Sequence, residues 1–324
     1  MSSLIAWILR AIPFGTIIMY GALGETLTEK SGNLNLGVPG IMYLGGFAGF
    51  ASAYYYEKLS ANPSAFVCVI LALLCALIAS ALGGLIYAFL TITLRANQNV
   101  TGLALTTFGM GVANFFGVFI LNGASYTAAP LAYKAFSAMI PVLSGLGVVG
   151  EVLFSYGFLA YAAIVLAVVL HWFFTRTRAG LNLRAVGENP NTADAASINV
   201  TKYKYMATCI GSMIAGLGGL YYVMDYASGV WSNNAFGDRG WLAIALVIFT
   251  IWRSNVGVFA SILFGGLYIL HMYIPTGSNP AVKELYKMLP YIVTIVVLCI
   301  SSLRKKREDQ PPQHLGLPYF REER

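Results

Sequence analysis

The chain has 324 residues, 58% of them hydrophobic and only 10% charged, with a mean hydropathy of +0.70. A water-soluble domain carries roughly a quarter of its residues as charges, so an ordinary soluble enzyme is excluded and a multi-span membrane protein is implied. The 20 Lys and Arg against 13 Asp and Glu give a net charge of +7, which in such a chain sets orientation in the bilayer and points to no nucleic-acid partner.

Apolar stretches lie at 4–24, 34–56, 64–90, 98–121, 152–174, 203–225, 240–274 and 288–303. The opening MSSLIAWILRAIPFG lacks the basic start of a cleaved signal and is read as part of the mature chain. Between the first two stretches, Ser31 to Gly40 holds three glycines and Pro39. That composition favours a broken helix whose freed backbone groups line a polar cavity, with Asn33 and Asn35 as hydrogen-bonding groups. The pairs Gly83-Gly84, Gly218-Gly219 and Gly265-Gly266 predict close helix contacts. Cys68, Cys75, Cys209 and Cys299 sit in apolar runs as small buried hydrophobes. The stretch 240–274 is too long for one crossing, and Trp252-Arg253-Ser254-Asn255 divides it. The expected total is eight to ten membrane elements.

Charge fixes the sides. Residues 175–204 carry Arg176, Arg178, Arg184, Lys202 and Lys204, and the tail opens with Arg304, Lys305, Lys306 and Arg307, so both are expected in the cytoplasm. The connection 122–150 has Lys134 as its only charge and is expected outside. Alternation then puts Arg95, Arg253 and the turn after Glu25 on the cytoplasmic side.

The 175–204 segment is longer and more hydrophilic than a turn between helices requires, which points to a docked partner. Within it Asn189-Pro190-Asn191-Thr192 reads as a helix start. Ala193, Ala195 and Ala196 give a smooth face, Gly187 supplies a bend, and Glu188 and Asp194 are placed to pair with basic groups on a partner. The chain has no GxxxxGK[ST] loop and no Gly-Lys dipeptide, so it cannot cradle ATP phosphates by that device. Motifs of intramembrane proteases and hydrolases are missing as well, and the chain reads as non-catalytic.

The segments GETLTEKSGNLNLGVPGIMYLGG at 24–46, RTRAGLNLRAVGENPNTADAASINV at 176–200 and GDRGWLAIALVIFTIW at 237–252 closely resemble the permease subunits of ATP-binding-cassette importers of the ribose and nucleoside type. The likeness runs from about 15 to 303, and the form SGxLNxGxxGxM after an upstream Glu25 is similar to the nucleoside branch. It implies an all-α polytopic fold of the type II importer kind in a bacterial-type inner membrane, with residues 1–303 as the permease domain and 304–324 as a charged cytoplasmic tail. It implies a second permease, homologous or identical, a cytoplasmic ATPase that binds ATP and Mg in place of this chain, and an extracytoplasmic substrate-binding protein or lipoprotein. By the same likeness Arg184, Gly187, Glu188, Asn189, Pro190, Ala193, Asp194, Ala195 and Ala196 form the coupling segment, while the glycine-rich break itself is the ground for expecting Glu25, Asn33, Asn35, Gly37 and Gly40 to line the translocation path. Ser197 stands where the family commonly has Gly, and Pro39 where many relatives carry Glu, which removes a polar group there. The competing reading is an ion-coupled secondary transporter using Glu25, Glu29, Glu151, Asp225, His171 or His271 as relays; it leaves 175–204 unexplained. The run Tyr221, Tyr222, Asp225, Tyr226, Trp231, Ser232, Asn233 and Asn234 falls on the outer side and offers ring faces to an arriving ligand.

Overall fold

The computed structural model describes residues 3–139, 147–273, 280–304 and 310–321. Its helices are α1 (Ser3–Glu29), α2 (Val38–Leu59), α3 (Ala65–Ala88), α4 (Gln98–Leu121), α5 (Pro130–Phe136), α6 (Gly147–Phe154) and α7 (Phe158–Arg176). They continue as α8 (Arg178–Glu188), α9 (Pro190–Ala195), α10 (Val200–Tyr221), α11 (Arg239–Phe249), α12 (Ser254–Ile269), α13 (Pro280–Lys287) and α14 (Leu289–Arg304). Single π turns extend α3 through Phe89–Thr93 and α10 through Tyr222–Tyr226. Two short strands, β1 (Thr127–Ala128) and β2 (Val230–Trp231), pair antiparallel.

Among the described residues α1, α3, α4, α7 and α10 are long and apolar enough to cross a bilayer, and α11 and α12 are shorter apolar helices. The most apolar of the five, α3, is the least buried, while the least apolar, α10, is the most buried. Water would force the opposite arrangement. The rows of exposed Phe66, Leu74, Ile78 and Leu82 on α3 and Phe108, Phe115 and Phe119 on α4 form a surface that suits lipid. Cys68 is buried on α3, but Cys299 faces outward from α14, because a thiol is apolar enough for either side of a lipid-facing helix.

The centre is α10 packed on α1, α2 and α3. Glycines set how close these helices come, since a Cβ at Gly84 would stand 2.3 Å from Ser212 Oγ, and one at Gly265 2.7 Å from the Ala11 carbonyl. These contacts agree with the reading of the glycine pairs.

The divided apolar stretch is also present. α11 has 11 residues, about 16 Å of helix, too short to cross ~30 Å of hydrocarbon. It is separated from α12 by a turn in which Ile251 and Trp252 hold φ of 53° and 55°, a conformation side chains resist. The buried Trp252 indole donates to the Glu29 carboxylate, which ties the turn to the end of α1. The turn after α1, Lys30 beside Arg184 and Arg253, and α8 therefore gather at one end of the bundle.

Candidate functional site

At that basic end, residues 30–37 form a recessed turn. The Asn33 amide donates to Thr208 Oγ1 at 3.0 Å, and Thr208 lies eight residues after Val200 in α10, roughly 12 Å along the helix axis. Five backbone groups of the turn meet side chains. The Asn35 N–H donates to Glu25 Oε1 at 2.8 Å, the Gly37 N–H to Asn35 Oδ1 at 2.9 Å, and the Leu34 N–H to Gln98 Oε1 at 2.7 Å. Thr106 donates to the Leu36 carbonyl at 2.7 Å, and the Tyr87 hydroxyl donates to the Leu34 carbonyl. Gly32, at φ 87°, makes the sharp reversal that a side chain would strain. Burial, then the Arg184 guanidinium beside it, push the Lys30 ammonium down to about 8.

Above this turn lie α8, α9 and the tail. Asn189 caps α9 by accepting from the Thr192 N–H at 3.0 Å, and Pro190 occupies its first turn. Ala193 packs inward with Val186, Val200 and Tyr319, whereas Ala195 and Ala196 are exposed. Residues 310–321 strap across. The His314 N–H donates to the Gly187 carbonyl at 3.0 Å and the Gly316 N–H to the Gly32 carbonyl at 3.2 Å. Arg321 pairs with Asp194 at 3.3 Å, the Gln313 N–H reaches Glu188 at 3.4 Å, and Arg95 lies 4.6 Å from the Phe320 ring centre.

The opposite end holds a cluster of amides and rings. Asn114 on α4 donates to Asn234 Oδ1 at 2.8 Å and accepts the Asn234 N–H at 3.1 Å, while Asn233 donates to the Asn114 carbonyl at 3.2 Å. The Trp231 indole donates to Asn233 at 3.2 Å and packs on Phe47, 5.0 Å between ring centres. Deeper, the Arg239 guanidinium lies 4.6 Å from the Tyr222 ring centre and donates to the Phe236 carbonyl at 2.6 Å.

Residues 7–298 match the family model described as the branched-chain amino acid transport system / permease component. The chain belongs to this permease family. It is 31% identical to a putative glucose ABC transporter permease protein of Haloferax volcanii over 89% of each chain. It is 30% identical to a guanosine ABC transporter permease protein of Bacillus subtilis, covering 94% of this chain and 92% of the relative. A nucleoside ABC transporter permease protein of Lactococcus lactis is 29% identical over 89% of each chain. The protein is thus a multi-pass, all-α membrane permease, and the ion-coupled alternative loses its ground.

Within the permease the two groups of residues singled out in the sequence come together at one end. Three corrections follow from their geometry. Gly187 is no bend: it lies in the last turn of α8, where a Cβ would stand 2.3 Å from the Lys30 carbonyl, and the chain turns at Asn189. Ala193 is not part of the open face of α9. Glu188 and Asp194, read as reaching for a partner, are engaged by the chain's own tail. Gly37 and Gly40 allow contact with α4, a Cβ at Gly40 falling 2.4 Å from the Leu105 carbonyl. Asn114 was missed, since nothing in an apolar helix marks one amide whose partners lie about 120 residues later. Asn35→Leu in the permease should cost about 1–3 kcal/mol, because it strands the buried Gly37 N–H; thermal unfolding in detergent checks this, and an unchanged midpoint would refute it.

Proposed function

We propose that this permease forms half of the translocation path of an ATP-binding-cassette importer in a bacterial-type cell membrane, carrying a nucleoside handed over by an extracytoplasmic binding protein. Energy comes from a separate cytoplasmic ATPase seated on α8 and α9, and a second permease completes the path. The observation that carries this reading is likeness along about nine-tenths of the chain to permeases named for guanosine and nucleosides. The cluster of Asn114, Asn233 and Asn234, held in place by the buried Trp231, supports it, because amides both donate to and accept from a base edge. The exposed small side chains of Ala195 and Ala196, at the basic end, support the docking surface.

The test is reconstitution of the full importer in liposomes with labelled guanosine and labelled glucose. ATP-dependent uptake of guanosine alone is expected. Uptake of glucose alone would move the cargo to sugars, and ATP-independent uptake abolished by a protonophore would restore the ion-coupled reading. Asn114→Leu is expected to lower guanosine uptake about tenfold, the worth of roughly 1.4 kcal/mol of contact, with folded permease still recovered in detergent, because its side-chain bonds to Asn234 are exposed and water can replace them.

A further inference from the structure

A cavity of about 360 Å³ opens at the basic end between the π turn after α3, the first turn of α10 and the strap. Lys204 lines it, is only 3% exposed, and makes no hydrogen bond or ion pair among the described residues. A buried ammonium without a counter-charge is costly, and folded proteins pair it. Among the described residues the other charged groups on the cavity wall are Arg95 and Arg321, and no carboxylate lines it. The remaining polar walls are largely committed. Asn33 is held by Thr208, Thr91 donates to the Tyr87 carbonyl, and Gln98 bridges Leu34 and Leu317. The amino-terminal end of α10, at Val200 and Thr201, adds the positive pole of a helix to the same wall.

The geometry points to a binding site for a phosphate-bearing anion, with Lys204 as its central ligand and Arg95 closing on it from the loop before α4, while Arg321 on the strap stands beside it in its ion pair with Asp194. Guanidinium and ammonium groups together hold phosphate oxygens by charge-assisted hydrogen bonds, and the cavity has room for a phosphate with a small organic group attached. Exposed Thr93 on its wall places the opening just after α3, within reach of both a lipid headgroup and a soluble phosphate. Because one wall is the strap, an anion in the cavity also holds residues 317–321 against α10.

The full-length protein is placed in nanodiscs of phosphatidylcholine and titrated with inorganic pyrophosphate by calorimetry, alongside Lys204→Met and Arg95→Gln. Binding by the unaltered protein is expected, at least ~tenfold weaker in Lys204→Met, the loss of one charge-assisted contact, and weaker in Arg95→Gln, whose exposed side chain leaves the fold intact. A parallel set of nanodiscs doped with phosphatidylglycerol is analysed by native mass spectrometry for retained lipid. Pyrophosphate binding that survives phosphatidylglycerol identifies a soluble ligand; binding displaced by it, with phosphatidylglycerol retained by the unaltered protein and lost from both variants, identifies the headgroup. Equal behaviour of all three proteins toward both probes, or no binding of either probe, overturns the proposal.

Discussion

Replacing Gly219 with valine is expected to abolish recovery of folded permease from the membrane. At this position α10 crosses α2 so closely that a Cβ would stand 1.8 Å from the Met42 carbonyl oxygen, 2.7 Å from its carbon and 3.0 Å from the Gly46 nitrogen. All three are backbone atoms, so no rotamer change relieves the clash and the helices themselves must part. Overpacking against side chains costs about 1–3 kcal/mol, and a backbone clash at the central crossing exceeds it, a large share of the ~5–15 kcal/mol that holds a typical fold. Gly111 supplies the control: nothing lies within 4 Å of a Cβ there, and Gly111→Ala should leave the protein as stable as before or slightly more so, through helix propensity. Size-exclusion profiles and melting in detergent compare the two. Matching profiles would show that α2 and α10 do not meet as described.

Ala195→Trp should uncouple transport while leaving the membrane bundle intact. Ala195 is exposed on α9 and takes no part in the small cluster that Ala193 forms with Val186 and Val200, so an indole there disturbs nothing inside this chain. If an ATPase cleft takes α9 as proposed, the indole overfills the contact by about 1–3 kcal/mol, at least a tenfold loss across most of that range. Co-purification of the ATPase and hydrolysis stimulated by loaded binding protein should both fall by that factor, with an unchanged melting midpoint of the permease alone. Full stimulated hydrolysis in Ala195→Trp would place the ATPase elsewhere.

The long helices were legible because hydrocarbon demands uninterrupted apolar runs, and α1, α3, α4, α7 and α10 follow the stretches marked in the sequence. The division between α11 and α12 was legible for the converse reason, a polar quartet in mid-stretch. Asn189 and Pro190 announced α9 by local chemistry alone. Contacts between distant segments left no such mark. Backbone groups of His314 and Gly316 bond to Gly187 and Gly32, and a backbone donor is the same in every residue but proline. Asn33 and Asn35 were visible as amides beside glycines, but whether an amide faces a cavity or supports its own loop depends on neighbours such as Thr208 and Glu25, which sequence spacing does not supply.

The strap follows α14 in chain order, yet it bonds to the turn that directly follows α1. During synthesis α1 and α2 enter the bilayer with the Gly32 carbonyl still waiting for a partner that the ribosome has not delivered. The basic end therefore gains its last backbone bonds only once the strap has been made. A chain halted after α14 would leave the Gly32 and Gly187 carbonyls without the backbone donors that Gly316 and His314 bring to them.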